Sequence, residues 1–125
     1  MFILRKQFDF EAAHFLPLVP EGHQCGRMHG HSYSVVIEVG SKHLKNGFVI
    51  DFADINNLIK PVIESLDHQV LNDFIENPTV ENMCVYIAEK LSRNAQAQKQ
   101  DVRLMAVEVS ETAKTKCRLE LGGIG

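Results

Sequence analysis

The stretch Phe8-Asp9-Phe10-Glu11-Ala12-Ala13-His14 decides how the chain is read. Side chains of an extended strand alternate, so Phe8, Phe10, Ala12 and His14 fall on one face and Gln7, Asp9 and Glu11 on the other. This is a half-buried strand, reaching back to Phe2, whose apolar face ends in a histidine. His31 to Val39 repeats the pattern, with His31, Tyr33, Val35, Ile37 and Val39 on one face. Between the two, Leu16 to Met28 carries Pro17, Pro20, Gly22 and Gly26 and is expected to be a loop.

Working outward, Asn46-Gly47 predicts a turn before a short strand, Phe48-Val49-Ile50. The period then changes. Ile55, Leu58, Ile59, Val62, Ile63 and Leu66 follow the spacing of a helix with one apolar stripe, with Asp51 as its N-cap and Pro61 expected to kink it. A second helix opens at Pro78-Thr79, with Thr79 as cap, and runs through Val80, Met83, Cys84, Ile87 and Leu91. Asn94 to Gln100 is polar and is expected to be the following loop. Val102 to Glu111 and Thr115 to Leu121 read as strands joined by Ala113-Lys114. The order β-β-α-α-β-β predicts one α+β domain over residues 1–125, an antiparallel sheet with two helices on one face.

The bulk composition narrows the function. The formal net charge of −3 points to neither a nucleic-acid partner nor an anionic membrane surface. No apolar run approaches the roughly 20 residues of a membrane helix. At the N-terminus the charges of Arg5 and Lys6 follow a very short apolar stretch, the reverse of a secretory leader. Cys25, Cys84 and Cys117 are too few and too scattered for a disulfide framework, and the cytoplasm is the expected compartment.

His29-Gly30-His31 is the sharpest local feature. Residues two apart on a strand point the same way, so both imidazoles converge, and His14 can supply a third from the end of a neighbouring strand. Three imidazoles bind zinc and leave one tetrahedral position open. Taken alone, the His-Gly-His spacing also fits ordinary polar residues at a loop's end. His23 and His43 lie in loop contexts and read as solvated. Cys25, close to Arg27 and four residues before His29, is either a fourth ligand closing a structural site or a free thiolate beside an open one. Cys84 and Cys117 fall on apolar patterns and read as small buried hydrophobes. Asp67-His68 follows the first helix, either as an oriented acid/base pair or as a polar helix end. In the strand after Val102, Met105, Val107, Val109 and Glu111 read on one face, with Arg103 and Glu108 on the other. A carboxylate ending an apolar face needs a partner, such as a ligand offering two parallel N–H donors, unless it is simply exposed.

Taken together these residues resemble the 6-pyruvoyltetrahydropterin synthase family. The likeness runs from Phe8–His14 to Glu111-Thr112. Its most specific piece is Cys25-Gly26-Arg27-Met28-His29-Gly30-His31, where the three-residue gap is like that of the family's carboxy-tetrahydropterin branch. Leu66-Asp67-His68-Gln69-Val70-Leu71-Asn72 and Asn77-Pro78-Thr79-Val80-Glu81-Asn82 match two further signatures. The stretch Lys116-Cys117-Arg118-Leu119 departs from the pattern by lacking an aromatic.

The resemblance implies the tunnelling fold, a ring-forming unit commonly found as a homohexamer with sites between subunits. It implies zinc held by His14, His29 and His31, with Cys25 as the proton-abstracting base and Asp67 and His68 as an acid/base relay. Glu111 would anchor a pterin ring, with Thr79 and Glu81 near that pocket and Arg27 a candidate for the triphosphate. The implied reaction converts 7,8-dihydroneopterin triphosphate to 6-carboxy-5,6,7,8-tetrahydropterin, acetaldehyde and triphosphate in queuosine (7-deazaguanine) biosynthesis. Two rivals remain: triphosphate elimination to a pyruvoyl pterin, and a non-catalytic zinc-stabilised assembly module.

Overall fold

The computed structural model describes residues 1–98 and 102–122. Strand β1 (Phe2–His14) pairs antiparallel with β2 (His29–Ser41) along its whole length, from Phe2 opposite Ser41 to His14 opposite His29. Helix α1 (Phe52–Leu66) follows, then a two-residue strand β3 (Gln69–Val70), helix α2 (Val80–Ala97), and the hairpin of β4 (Arg103–Thr112) and β5 (Thr115–Glu120). The sheet order is β3-β1-β2-β4-β5. Every pairing is antiparallel except that of β3, which runs parallel to β1 beside Ala12 and Ala13.

One face of the sheet carries both helices. Phe10, Ala12, Tyr33, Val35, Ile37, Val39, Val107 and Val109 pack into one core with the six stripe residues of α1 and with Met83, Cys84, Ile87, Ala88 and Leu91 of α2. Each fully buried side chain of the size of Ile55 or Leu66 contributes about 1.5–3 kcal/mol by leaving water. Asp51 caps α1 by accepting from the Ala53 amide at 2.8 Å, and Thr79 caps α2 by accepting from the Asn82 amide at 3.2 Å. Asn46 and Gly47 both take positive φ, 52° and 84°, as the predicted turn requires.

Four expectations differ from the structure. Phe48-Val49-Ile50 forms no strand: Phe48 makes an isolated bridge to Lys45 across the turn, and Ile50 is buried in the core ahead of the α1 cap. The α2 helix continues through Asn94 to Ala97. Ala95 packs on the core and the Asn94 amide donates to the Leu58 carbonyl at 3.1 Å, so the polar run is tied down. Lys99 and Gln100, the rest of that expected loop, lie outside the described residues. α1 also runs on through Pro61. Proline has no N–H to give the Asn57 carbonyl four residues back, and the Gln98 side chain donates to that carbonyl at 3.2 Å instead.

The fourth difference lies in β4. Glu38 pairs with Ala106 but Val39 with Leu104, leaving Met105 as an extra residue. The bulge turns Leu104 to the core and Met105 to the opposite face, where a Cβ at Gly40 would lie 3.0 Å from Met105 Cγ. Glu38, only 4% exposed, is held there between the guanidinium groups of Arg5 and Arg118.

Candidate metal centre and its surroundings

The β1–β2 register sets His14 directly opposite His29, and the pleat puts His31 on the same face two residues on. The three rings stand edge to face, with centroids 4.6–5.1 Å apart. One ring nitrogen from each lies within 4.8 Å of the other two, and no cysteine sulfur belongs to the set. His14 is fully buried; His29 and His31 are half-buried.

Backbone carbonyls fix two of the rings. A carbonyl can only accept, so His14 Nδ1–H donates to Pro78 O at 2.8 Å and His29 Nδ1–H to Arg27 O at 2.7 Å. In the neutral rings each Nε2 then carries a lone pair, and these two atoms lie 3.0 Å apart. Buried His31 Nε2 has no hydrogen-bond partner. Burial holds the His14 pKa below the ordinary histidine value, against the opposing pull of the Pro78 carbonyl and Glu111, which keeps the ring neutral as a ligand must be. Facing lone pairs and an orphaned third nitrogen suit a cation, and the donor set fits a divalent metal that accepts three imidazoles.

Glu111 joins this cluster. Its two carboxylate oxygens lie 3.7 Å from His14 Nε2 and from His31 Nε2. Ser110 pairs with Lys116 and Thr112 with Thr115, so Glu111 is left without a partner on β5, an irregularity of the kind that re-aims a side chain. Tyr33, fully buried beneath the rings, brings its hydroxyl to 3.2 Å from His14 Nδ1 and stacks on Phe10.

Asp67 and His68 sit at the outer edge of β1, where an Asp67 oxygen accepts from the Glu11 amide at 2.9 Å and from His68 Nδ1 at 3.0 Å. The Glu11 amide first, and His68 second, hold the Asp67 carboxyl below the usual carboxylate range. His68 takes a left-handed backbone, φ 58°, a conformation that non-glycine residues keep only where the surroundings impose it. An open groove of about 440 Å³ is lined by both His31 and His68, together with Glu11 and Ser32.

Cys25 lies half-buried on a single 3₁₀ turn, Gln24–Gly26. His23, read as solvated, is exposed but caps that turn by accepting from the Cys25 amide at 3.0 Å. Arg27 exposes its side chain while its carbonyl holds His29, Thr79 caps α2 next to the Pro78 carbonyl, and Glu81 is exposed in the first turn of α2. Three supports were missing from the sequence reading. Pro78 and Arg27 act through backbone carbonyls, which carry no sequence signal. Tyr33 was legible as the next residue on the His31 face.

One end of the sheet thus carries a three-imidazole cluster able to hold a metal ion, with a carboxylate beside it. Residues 3–121 match the family model for 6-pyruvoyl tetrahydropterin synthase, and the chain belongs to that family. A 6-carboxy-5,6,7,8-tetrahydropterin synthase from Synechocystis sp. is 38% identical over 126 residues, 94% of this chain and 92% of that protein. A putative enzyme of the same name from Archaeoglobus fulgidus is 42% identical over 85 residues, 67% of this chain and 70% of its own length. A dihydroneopterin monophosphate aldolase from Pyrococcus furiosus is 31% identical over 112 residues, 90% and 91% of the two chains. The 6-pyruvoyl tetrahydropterin synthase of Caenorhabditis elegans superposes with a TM-score of 0.81 at 24% identity, covering 95% and 94%, and carries the same tunnelling fold. No helix among the described residues is long and apolar enough to cross a membrane.

Proposed function

We propose that the chain is a zinc-dependent carbon–carbon lyase that converts 7,8-dihydroneopterin triphosphate and water to 6-carboxy-5,6,7,8-tetrahydropterin, acetaldehyde and triphosphate in queuosine biosynthesis. The observation that carries this reading is the convergence of His14, His29 and His31 with Glu111 at one end of the sheet. The relatives named for the carboxy product, and the three-residue gap between Cys25 and His29, support the branch.

A bound zinc ion supplies Lewis-acid stabilisation of the negative charge that develops on the substrate side chain. Glu111 accepts two parallel N–H bonds from the pterin ring and so fixes the side chain relative to the base. Cys25, as thiolate, removes a side-chain proton. His68, oriented through Nδ1 by Asp67, donates and relays protons from Nε2 into the groove it shares with His31. Thr79 and Glu81 flank the ring pocket at the α2 N-terminus, and Arg27 offers its exposed guanidinium to the triphosphate.

The working form in this reading is a cytoplasmic homo-oligomer, a hexamer, with sites at subunit interfaces. In support, β1 is paired on its outer edge only at Ala12 and Ala13, and β5 pairs on one side only among the described residues. Such edges invite pairing with another chain.

The test is incubation of zinc-loaded protein with 7,8-dihydroneopterin triphosphate and identification of products by mass spectrometry. The carboxy pterin with acetaldehyde supports the assignment, and a pyruvoyl pterin alone reassigns the product. The identity to the Pyrococcus aldolase favours a second reading, aldol cleavage of dihydroneopterin monophosphate. Turnover of the monophosphate in place of the triphosphate would select it.

A further inference from the structure

We propose that Asn72 is a positioning residue of the metal centre: by gripping the peptide of Phe15 through both atoms of its amide, it holds the adjacent His14 ring in place. The inference rests on the triad being a metal site and adds a residue that touches neither the metal nor the substrate.

His14 is the last residue of β1, held on one side by its pairing with His29. On the other side the β3 ladder reaches only Ala12 and Ala13, and its partners Gln69 and Val70 end there. The N–H and C=O of Phe15, just beyond the ligand, would then have no strand to bond. Asn72 supplies both bonds from a side chain: Oδ1 accepts from the Phe15 amide at 3.0 Å and Nδ2 donates to the Phe15 carbonyl at 2.9 Å. A carboxamide is the one side-chain group that reproduces a peptide's donor and acceptor together, so asparagine extends the ladder past its end. Aspartate keeps the acceptor and loses the donor; alanine loses both.

Asn72 is itself anchored. It lies on a 3₁₀ turn whose first residue, Leu71, is fully buried and accepts at its carbonyl from the amides of Phe74 at 3.0 Å and Ile75 at 2.9 Å. The ring it supports has little room for error, because His14 must keep both the Pro78 carbonyl at Nδ1 and the metal at Nε2. The same segment, Asp67 to Asn72, bonds the Glu11 backbone at its start and the Phe15 backbone at its end. It therefore splints the last turn-free residues of β1 along their outer edge.

Zinc affinity of wild type, Asn72→Ala and Asn72→Asp is measured by chelator competition, with cobalt(II) absorption reporting geometry. Asn94→Ala, which removes a side-chain bond to the Leu58 carbonyl far from the triad, serves as the control. Asn72→Ala should lose about tenfold in affinity and change the cobalt spectrum, with Asn72→Asp between it and wild type. Asn94→Ala should lower the melting temperature and leave both metal readouts unchanged. If Asn72→Ala does not fold, Asn72→Asp decides alone. Wild-type affinity and spectrum in the folded variants overturn the positioning role while the metal centre stands. A wild-type protein that takes up neither ion overturns both.

Discussion

The Nε2 atoms of His14 and His29 lie 3.0 Å apart although each ring has already committed its Nδ1 proton to a backbone carbonyl. With both rings neutral, the two Nε2 lone pairs face each other. The Pro78 and Arg27 carbonyls fix both rings in this arrangement, which a cation between the two nitrogens would satisfy.

Zinc should therefore stabilise the fold in a concentration-dependent way. At a free concentration a thousandfold above its dissociation constant, the gain is about 4 kcal/mol. Thermal melts across a zinc titration should show it, and His31→Ala should remove most of the response. A melting temperature indifferent to zinc would count against the site.

Cys25 lies outside the set of converging ligand atoms. Cys25→Ala should accordingly retain its metal, measured by elemental analysis of the purified variant, while turnover falls by orders of magnitude. Loss of the metal together with the thiol would mean that sulfur closes the site, and the base would have to be sought elsewhere.

Glu111→Gln replaces a carboxylate, which can accept two charge-assisted bonds, by an amide that accepts only through its oxygen. Losing one such bond costs about 1.5–3 kcal/mol, a ten- to hundredfold weaker substrate affinity. Calorimetric titration with a non-reactive pterin measures it, and equal affinity in the two proteins would remove Glu111 from ring recognition.

Glu38 predicts the acid side of the stability curve. Hydrogen bonds from Arg118, outweighing the opposing effect of burial and reinforced by Arg5, hold its carboxyl below the usual carboxylate range. A depressed carboxyl contributes stability that is fully present above the unfolded-chain value and is lost as pH falls through the folded one. Denaturant melts of wild type should weaken below about pH 4.5. Glu38→Gln should be less stable at neutral pH by about 1–3 kcal/mol and respond less to acid in that window. Parallel pH curves for the two proteins would refute the assignment.

Much of the architecture was legible because its signals are periodic. All six stripe residues of α1 are buried, and the alternation of β1 and the His-Gly-His spacing put His14, His29 and His31 on one face. What escaped has physical causes. A two-residue strand such as β3 has no period to detect. The bulge at Met105 breaks the alternation that put Met105 on the face of Val107 and Val109. The polar end of α2 is helical because Asn94 and Gln98 bond to carbonyls of the other helix, a tertiary fact. The supports of the triad were hidden because two are main-chain oxygens.

Those two bonds from α2 have a consequence for how the molecule opens. Asn94 and Gln98 reach consecutive carbonyls of α1, Leu58 and Asn57, beside the gap that Pro61 leaves in the helix's own ladder. The middle of α1 is thus completed by its neighbour at the Asn57 carbonyl, and the C-terminal turn of α2 is tied to it. Local fluctuations should expose the two together as one cooperative unit, so amide exchange around Leu58 and around Asn94 should share a single opening free energy.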